Sequence, residues 1–208
     1  MFVKICGMTT PEAAEKCLEL GADMIGMIYY PPSPRHIEAP QIRAILDAAK
    51  PFRQRGCKAV LVVVNALPEE IDSRIDFVQL HGSLQETDKI PCRTIRVIKN
   101  DTAFQRQWNQ KPTARHLESP NIPQFLLEMS SGILPGGNGA AWNWSMAKPF
   151  CKKFPTLLAG GITPENVRDA IAQAEPLGVD VSSGVELSSG VKDFDKVKKL
   201  LEQCFSAG

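Results

Sequence analysis

In the run KICG at residues 4–7 a lysine and a cysteine stand two positions apart, and in an extended segment that spacing puts Lys4 and Cys6 on one face. A thiol acts as a general base only as its thiolate, and a neighbouring ammonium is the electrostatic help that would favour that form. The same residues also suit a plainer role, Cys6 as a small buried hydrophobe and Lys4 as the partner of an interior carboxylate. Near the other end, LAGGI (158–162) runs into TPENV, and VDVSSG (179–184) follows one unit later. Gly160, Gly161 and Gly184, with Ser183 beside them, let the backbone approach a ligand closely and leave N–H groups free to meet an anion. The helix starts that follow add favourable dipoles.

The elements that must hold these residues follow from the patterning. Short apolar runs alternate with amphipathic, charged segments: FVKIC with PEAAEKCLEL, DMIGMIY with PQIRAILDAAK, CKAVLVVV with PEEIDSRI, DFVQL with SLQETDK, RTIRVI with TAFQRQW, FLLEM with WSMAKPFCKKF, TLLA with PENVRDAIAQA, and GVDVS with FDKVKKLLEQC. About eight strand-plus-helix units imply a parallel sheet, because parallel neighbours need crossover connections. An open doubly wound sheet shares the pattern. Glycine-rich loops after the last two strands favour a single-domain (β/α)8 TIM barrel over residues 1–208, where such loops frequently bind phosphate. Thr10-Pro11 and Thr163-Pro164, each followed by glutamate, read as helix starts.

Bulk properties narrow the partners. The 208 residues carry 24 basic and 23 acidic side chains, a formal charge of +1, so no broad field attracts nucleic acid or an anionic membrane. The longest apolar stretch, Ala59 to Val64, is far too short for a span, and the amino terminus lacks a signal pattern, so a cytoplasmic protein is expected. Six cysteines without a CxxC pair read as reduced thiols. His36, His81 and His116 have no i, i+4 partner, so no metal site is expected and each is assigned a structural or solvated role. The polar stretch from Lys111 to Gln124 reads as a variable connection into the sixth strand.

Six motifs in order, KICG, SPR (33–35), QLHG (79–82), GGNG (136–139), LAGGITPENV (158–167) and DVSSGVE (180–186), resemble those of the phosphoribosylanthranilate isomerase family. The resemblance covers nearly the whole chain. It implies an Amadori rearrangement in tryptophan biosynthesis, in which the furanose of N-(5-phosphoribosyl)anthranilate opens and an aminoaldose becomes an aminoketose, with no cofactor. It makes Cys6 the general base at C2′, Arg35 the anchor of the anthranilate carboxylate, and Gly160, Gly161, Ser183 and Gly184 the phosphate cradle. Lys4, Gly137, Asn138 and Asp180 form a second tier, with Asp180 facing substrate or pairing with Lys4.

The family acid is an aspartate closing the sixth strand, and this chain has Glu128 there. One methylene shifts a carboxyl by ~1.5 Å, and a misplacement of about 1 Å can cost roughly a hundredfold in rate. Asn138 and Asn143 also replace family residues, Asn143 where an N-cap aspartate is expected; Trp142 and Trp144 read as packing residues. The alternative reading is a weakened phosphosugar-binding homologue or a partner in a tryptophan-pathway assembly. A histidine-pathway aminoaldose isomerase is disfavoured, since the first strand ends in Cys6 and no aspartate closes the fifth. Monomer and homodimer are both open.

Overall fold

A computed structural model describes residues 1–82, 87–99, 120–128 and 143–205. Gly137, Asn138 and the rest of GGNG, Trp142, TAFQRQW and positions 111–119 of the long connection lie outside the described residues.

Eight parallel strands close on themselves: β1 (Phe2–Cys6), β2 (Met24–Tyr29), β3 (Lys58–Val64), β4 (Phe77–His81), β5 (Arg93–Lys99), β6 (Phe125–Glu128), β7 (Thr156–Leu158) and β8 (Gly178–Val181), with β8 pairing back onto β1. The expected closed barrel is therefore the one observed. Alternation along each strand splits the apolar residues into two cores. Met24, Val60, Val62, Phe77, Ile95, Leu126 and Leu157 fill the interior. Val3, Ile5, Leu61, Val78, Leu127 and Val179 face outward and pack with the helices.

Among the described residues those helices are α1 (Pro11–Glu19), α2 (Ala39–Arg53), α3 (Lys148–Cys151), α4 (Val167–Ala174) and α5 (Phe194–Phe205). The Thr10 hydroxyl caps α1 by accepting from the Ala13 N–H at 3.2 Å. Thr163 behaves differently. Its hydroxyl accepts from Glu165 N–H, its own N–H donates to Asn166 Oδ1, and α4 begins only at Val167. A turn closed by side chains thus occupies the place where a first helical turn was expected. PEEIDSRI forms no helix either: Asp72 Oδ1 accepts both the backbone N–H and Nε of Arg74, a local alternative to helical bonding. WSMAKPFCKKF begins as a 3-10 turn over Trp144–Ala147, with Asn143 at its N-cap as expected, and continues into the short α3. A feature absent from the sequence reading is the hairpin β9 (Glu186–Ser188) and β10 (Val191–Lys192), inserted between β8 and α5.

All six cysteines are free thiols. No helix among the described residues is long and apolar enough to cross a membrane.

Thr10→Ala removes the α1 cap acceptor and is expected to lower stability by about 1 kcal/mol, read as a lower urea midpoint at unchanged slope. An unchanged midpoint would show the cap to be idle.

Candidate active site

Barrel closure brings Lys4 of β1 into register with Asp180 of β8. The Lys4 ammonium, fully buried at 0% exposure, donates to Asp180 Oδ1 at 2.8 Å. Of the two roles left open for Asp180, pairing with Lys4 is the observed one, although Asp180 also lines the cavity described below. Cys6 lies beside the same ammonium. An added Cβ on Gly26 of β2 would stand 2.7 Å from Cys6 Sγ and 2.9 Å from Lys4 Nζ, so the missing side chain leaves the room both groups occupy. Burial pushes the Cys6 thiol above its ordinary 9.0, with Lys4 opposing. This corrects the expectation of a favoured thiolate: loss of hydration outweighs the neighbouring ammonium.

Arg35 is no solvated loop residue. Its guanidinium is buried against Glu186, with Nε donating to Oε1 at 2.9 Å and Nη2 to Oε2 at 2.6 Å. Lys192 donates to the same carboxylate at 2.6 Å and to the Cys6 carbonyl oxygen at 2.6 Å. Burial raises the Glu186 pKa, but the two cations outweigh it and hold the carboxyl below the usual range. With one edge of its guanidinium committed, Arg35 keeps Nη1 outside these bonds among the described residues. Gly7, at φ 81°, leaves space for the Arg35 stem, since a Cβ there would stand 2.6 Å from Arg35 Cδ. Glu186 and Lys192 went unnoticed in the sequence; Glu186 sat inside the quoted DVSSGVE, which was the available signal.

Glu128 closes β6 with its carboxyl buried, and desolvation pushes it up to about 7, so it stays protonated far more readily than an ordinary glutamic acid. Across from it, His81 Nδ1 stands 3.6 Å from Glu128 Oε1, and Gln79 lies behind the ring with Nε2 2.9 Å from His81 Nε2. Of the structural and solvated roles expected for His81 the solvated one is excluded, since the ring is buried in the cavity wall beside the carboxyl. Its place in QLHG, at the end of a strand, was the signal that could have found it.

Gly160 and Gly161, at φ 92° and 67°, take backbone conformations that favour glycine, while the Trp144 indole N–H donates to Gly160 O at 3.4 Å and braces the loop. A Cβ on Gly184 would overlap the Ile162 carbonyl, so the loops after β7 and β8 touch there. The Ser182 hydroxyl is buried and has no partner among the described residues, and was missed beside Ser183. Cys6, Arg35, Glu128, Asp180, Gly160, Gly161, Ser182, Ser183 and Gly184 all line one cavity at the carboxyl ends of the strands, with free space, mouth included, of about 880 Å³.

Fold and site together define a (β/α)8-barrel enzyme whose thiol, carboxyl and glycine-rich loops face one cavity at the catalytic end of the barrel. The family model for N-(5'phosphoribosyl)anthranilate (PRA) isomerase matches residues 3–203. A relative of that name from Desulfatibacillum aliphaticivorans is 39% identical over 99% of this chain and 94% of its own. The crystal structure of phosphoribosyl anthranilate isomerase from Thermotoga maritima superposes with a TM-score of 0.81 at 33% identity, covering 99% of each chain. A phosphoribosyl anthranilate isomerase in complex with reduced 1-(o-carboxyphenylamino)-1-deoxyribulose 5-phosphate gives 0.78 at 32% identity, again over 99% of each chain. The chain belongs to the N-(5'-phosphoribosyl)anthranilate isomerase family.

Glu186→Gln leaves two buried cations without their carboxylate and is expected to destabilise the fold by about 3 kcal/mol. The sign with pH follows from the depressed native pKa: Glu186 contributes stability above its unfolded value near 4.5, and that contribution is lost as pH falls through the lower folded value. Urea melts from pH 7 to 3 should therefore show the gap between wild type and Glu186→Gln closing in acid. A gap independent of pH would contradict the assignment.

Proposed function

We propose that this barrel isomerises N-(5'-phosphoribosyl)anthranilate to its 1-deoxyribulose 5-phosphate product, with Glu128 as general acid and Cys6 as general base. The enzyme is an intramolecular oxidoreductase, an aldose–ketose isomerase. The observation that carries the residue roles is that a carboxyl protonated near neutrality and a thiol set against an ammonium line the same cavity.

Glu128 gives its proton to the furanose ring oxygen as the C1′–O bond breaks and the nitrogen lone pair forms the C1′=N bond. Cys6, as thiolate, takes the C2′ proton; that electron pair makes C1′=C2′ and returns the lone pair to nitrogen. The enolamine then gains a proton at C1′ as the C2′ hydroxyl loses its own to form the C2′ carbonyl, which yields the aminoketose and leaves the protons exchanged with Glu128 and Cys6 in balance. Lys4, anchored by Asp180, stabilises the thiolate when it forms. Arg35, aimed by Glu186, offers Nη1 to the anthranilate carboxylate. The N–H groups around Gly161 and Gly184 and the Ser182 and Ser183 hydroxyls, at the lip of the cavity, receive the phosphate. The substrate is a phosphosugar. For oligomeric state, the monomeric form remains as compatible as a homodimer, and pathway enzymes are candidate partners.

Purified protein given fresh phosphoribosylanthranilate is expected to consume it, followed by loss of substrate fluorescence, while Cys6→Ala falls to background with an unchanged melting curve. No rate above the uncatalysed one would overturn the isomerase reading. The active form needs Cys6 ionised and Glu128 protonated, and its total proton count equals that of the thiol–carboxylate form. kcat/KM should therefore be bell-shaped, with a lower limb near 7 and an upper limb above the ordinary thiol value of 9.0.

Glu128→Asp withdraws the carboxyl from the position set opposite His81. A fall in kcat of about a hundredfold is expected, with KM little changed. A rise instead would show the glutamate to be a handicap relative to the family aspartate.

A further inference from the structure

Gln79 and His81 stand two residues apart on β4, and both face the cavity next to Glu128. The Gln79 amide nitrogen, 2.9 Å from His81 Nε2, can only donate, so Nε2 accepts and the ring proton resides on Nδ1. Burial keeps the imidazole neutral, pushing its pKa down to about 3. Nδ1 then points at Glu128 Oε1 across 3.6 Å, too long for a hydrogen bond and within a few tenths of an ångström of one. Both atoms are buried and neither has a hydrogen-bond partner among the described residues. Two buried polar atoms left facing each other carry a cost that a small movement would relieve.

We propose that His81 is a positioning residue for the acid: held by Gln79 as the Nδ1–H tautomer, it donates a hydrogen bond to Glu128 as that carboxyl loses its proton. The contact is absent while Glu128 is protonated and closes when it becomes a carboxylate, so it favours the state after proton transfer over the state before. No proton leaves the imidazole; the proton of Glu128 goes to the ring oxygen and the carboxylate accepts the Nδ1–H. The other charged groups acting on Glu128 among the described residues are Lys99 of β5 and Lys4 of β1, which favour the carboxylate, and Asp180 of β8, which opposes it. The inference rests on Glu128 being the acid of the proposed reaction.

Nitrogen-15 NMR of the histidine rings and carbon-13 NMR of the Glu128 carboxyl in the full chain test it without turnover. In wild type, His81 Nδ1 is expected to show the protonated shift and Nε2 the unprotonated one; the reverse assignment overturns the proposal. His81→Ala should move the Glu128 titration midpoint upward by about half a unit to one unit and lower kcat about tenfold, with KM within about twofold. His81→Asn, whose side-chain N–H stands near the place of Nδ1, should restore most of both. A midpoint unmoved in His81→Ala, or His81→Asn behaving as His81→Ala, overturns the proposal. Gln79→Leu keeps the ring and releases the tautomer, so it should give mixed nitrogen shifts and part of the same rise; it carries the test if His81→Ala does not fold, and an unmixed spectrum counts against the proposal. Wild-type turnover decides the isomerase reading separately, so the two can fail independently.

Discussion

The ion pair between Lys4 and Asp180 spans the seam where the barrel closes, and the site is organised around it. An ammonium without contact to water is expensive, and only a partner held at bonding distance makes it tolerable. β1 and β8, at opposite ends of the fold in sequence, meet in the register that sets Lys4 against Asp180. Burial pushes the lysine pKa down, but Asp180 and Cys6 together outweigh it and the ammonium stays charged. Closure of the sheet and a fixed positive charge beside the thiol are thus one event.

A second charged cluster reaches the same cysteine through its backbone carbonyl. Lys192 donates to the Cys6 carbonyl and to Glu186, and Glu186 grips Arg35. The loop after β2, the β9–β10 hairpin and the end of β1 are fastened together through one carboxylate. Buried pairs of this kind add little net stability against apolar packing of equal volume, yet losing one partner strands the others. Their effect here is geometric: Arg35 meets the cavity with a defined edge, and the base is held by its backbone as well as by its side chain.

The acid side of the cavity obeys a different rule. Around Glu128 no cation comes as close as Lys4 does to Asp180 in the ion pairs among the described residues, and desolvation dominates, leaving the carboxyl protonated near neutrality. Base and acid are both set by burial, which acts to keep each of them neutral. A charge then appears only as the reaction moves a proton, where the surrounding groups can favour it.

Much of this was legible in the residues. The repeated strand–helix punctuation pointed to a parallel sheet, the glycine loops favoured its closure into a barrel, and the family motifs singled out Cys6, Glu128 and Asp180, because strand patterning and the demand of tight turns for glycine are local properties. What the tertiary structure alone decided concerns groups far apart in the chain. Local bonding of Asp72 and Thr163 replaced helix where periodicity suggested it, and Asp180 turned to Lys4. Arg35 surrendered an edge to Glu186, a residue 151 positions away. His81 came to face Glu128 across the barrel mouth, and the Cys6 thiol proved harder to ionise than its neighbouring lysine suggested. Burial and long-range pairing depend on which surfaces meet, and those distances exist only once the sheet has closed.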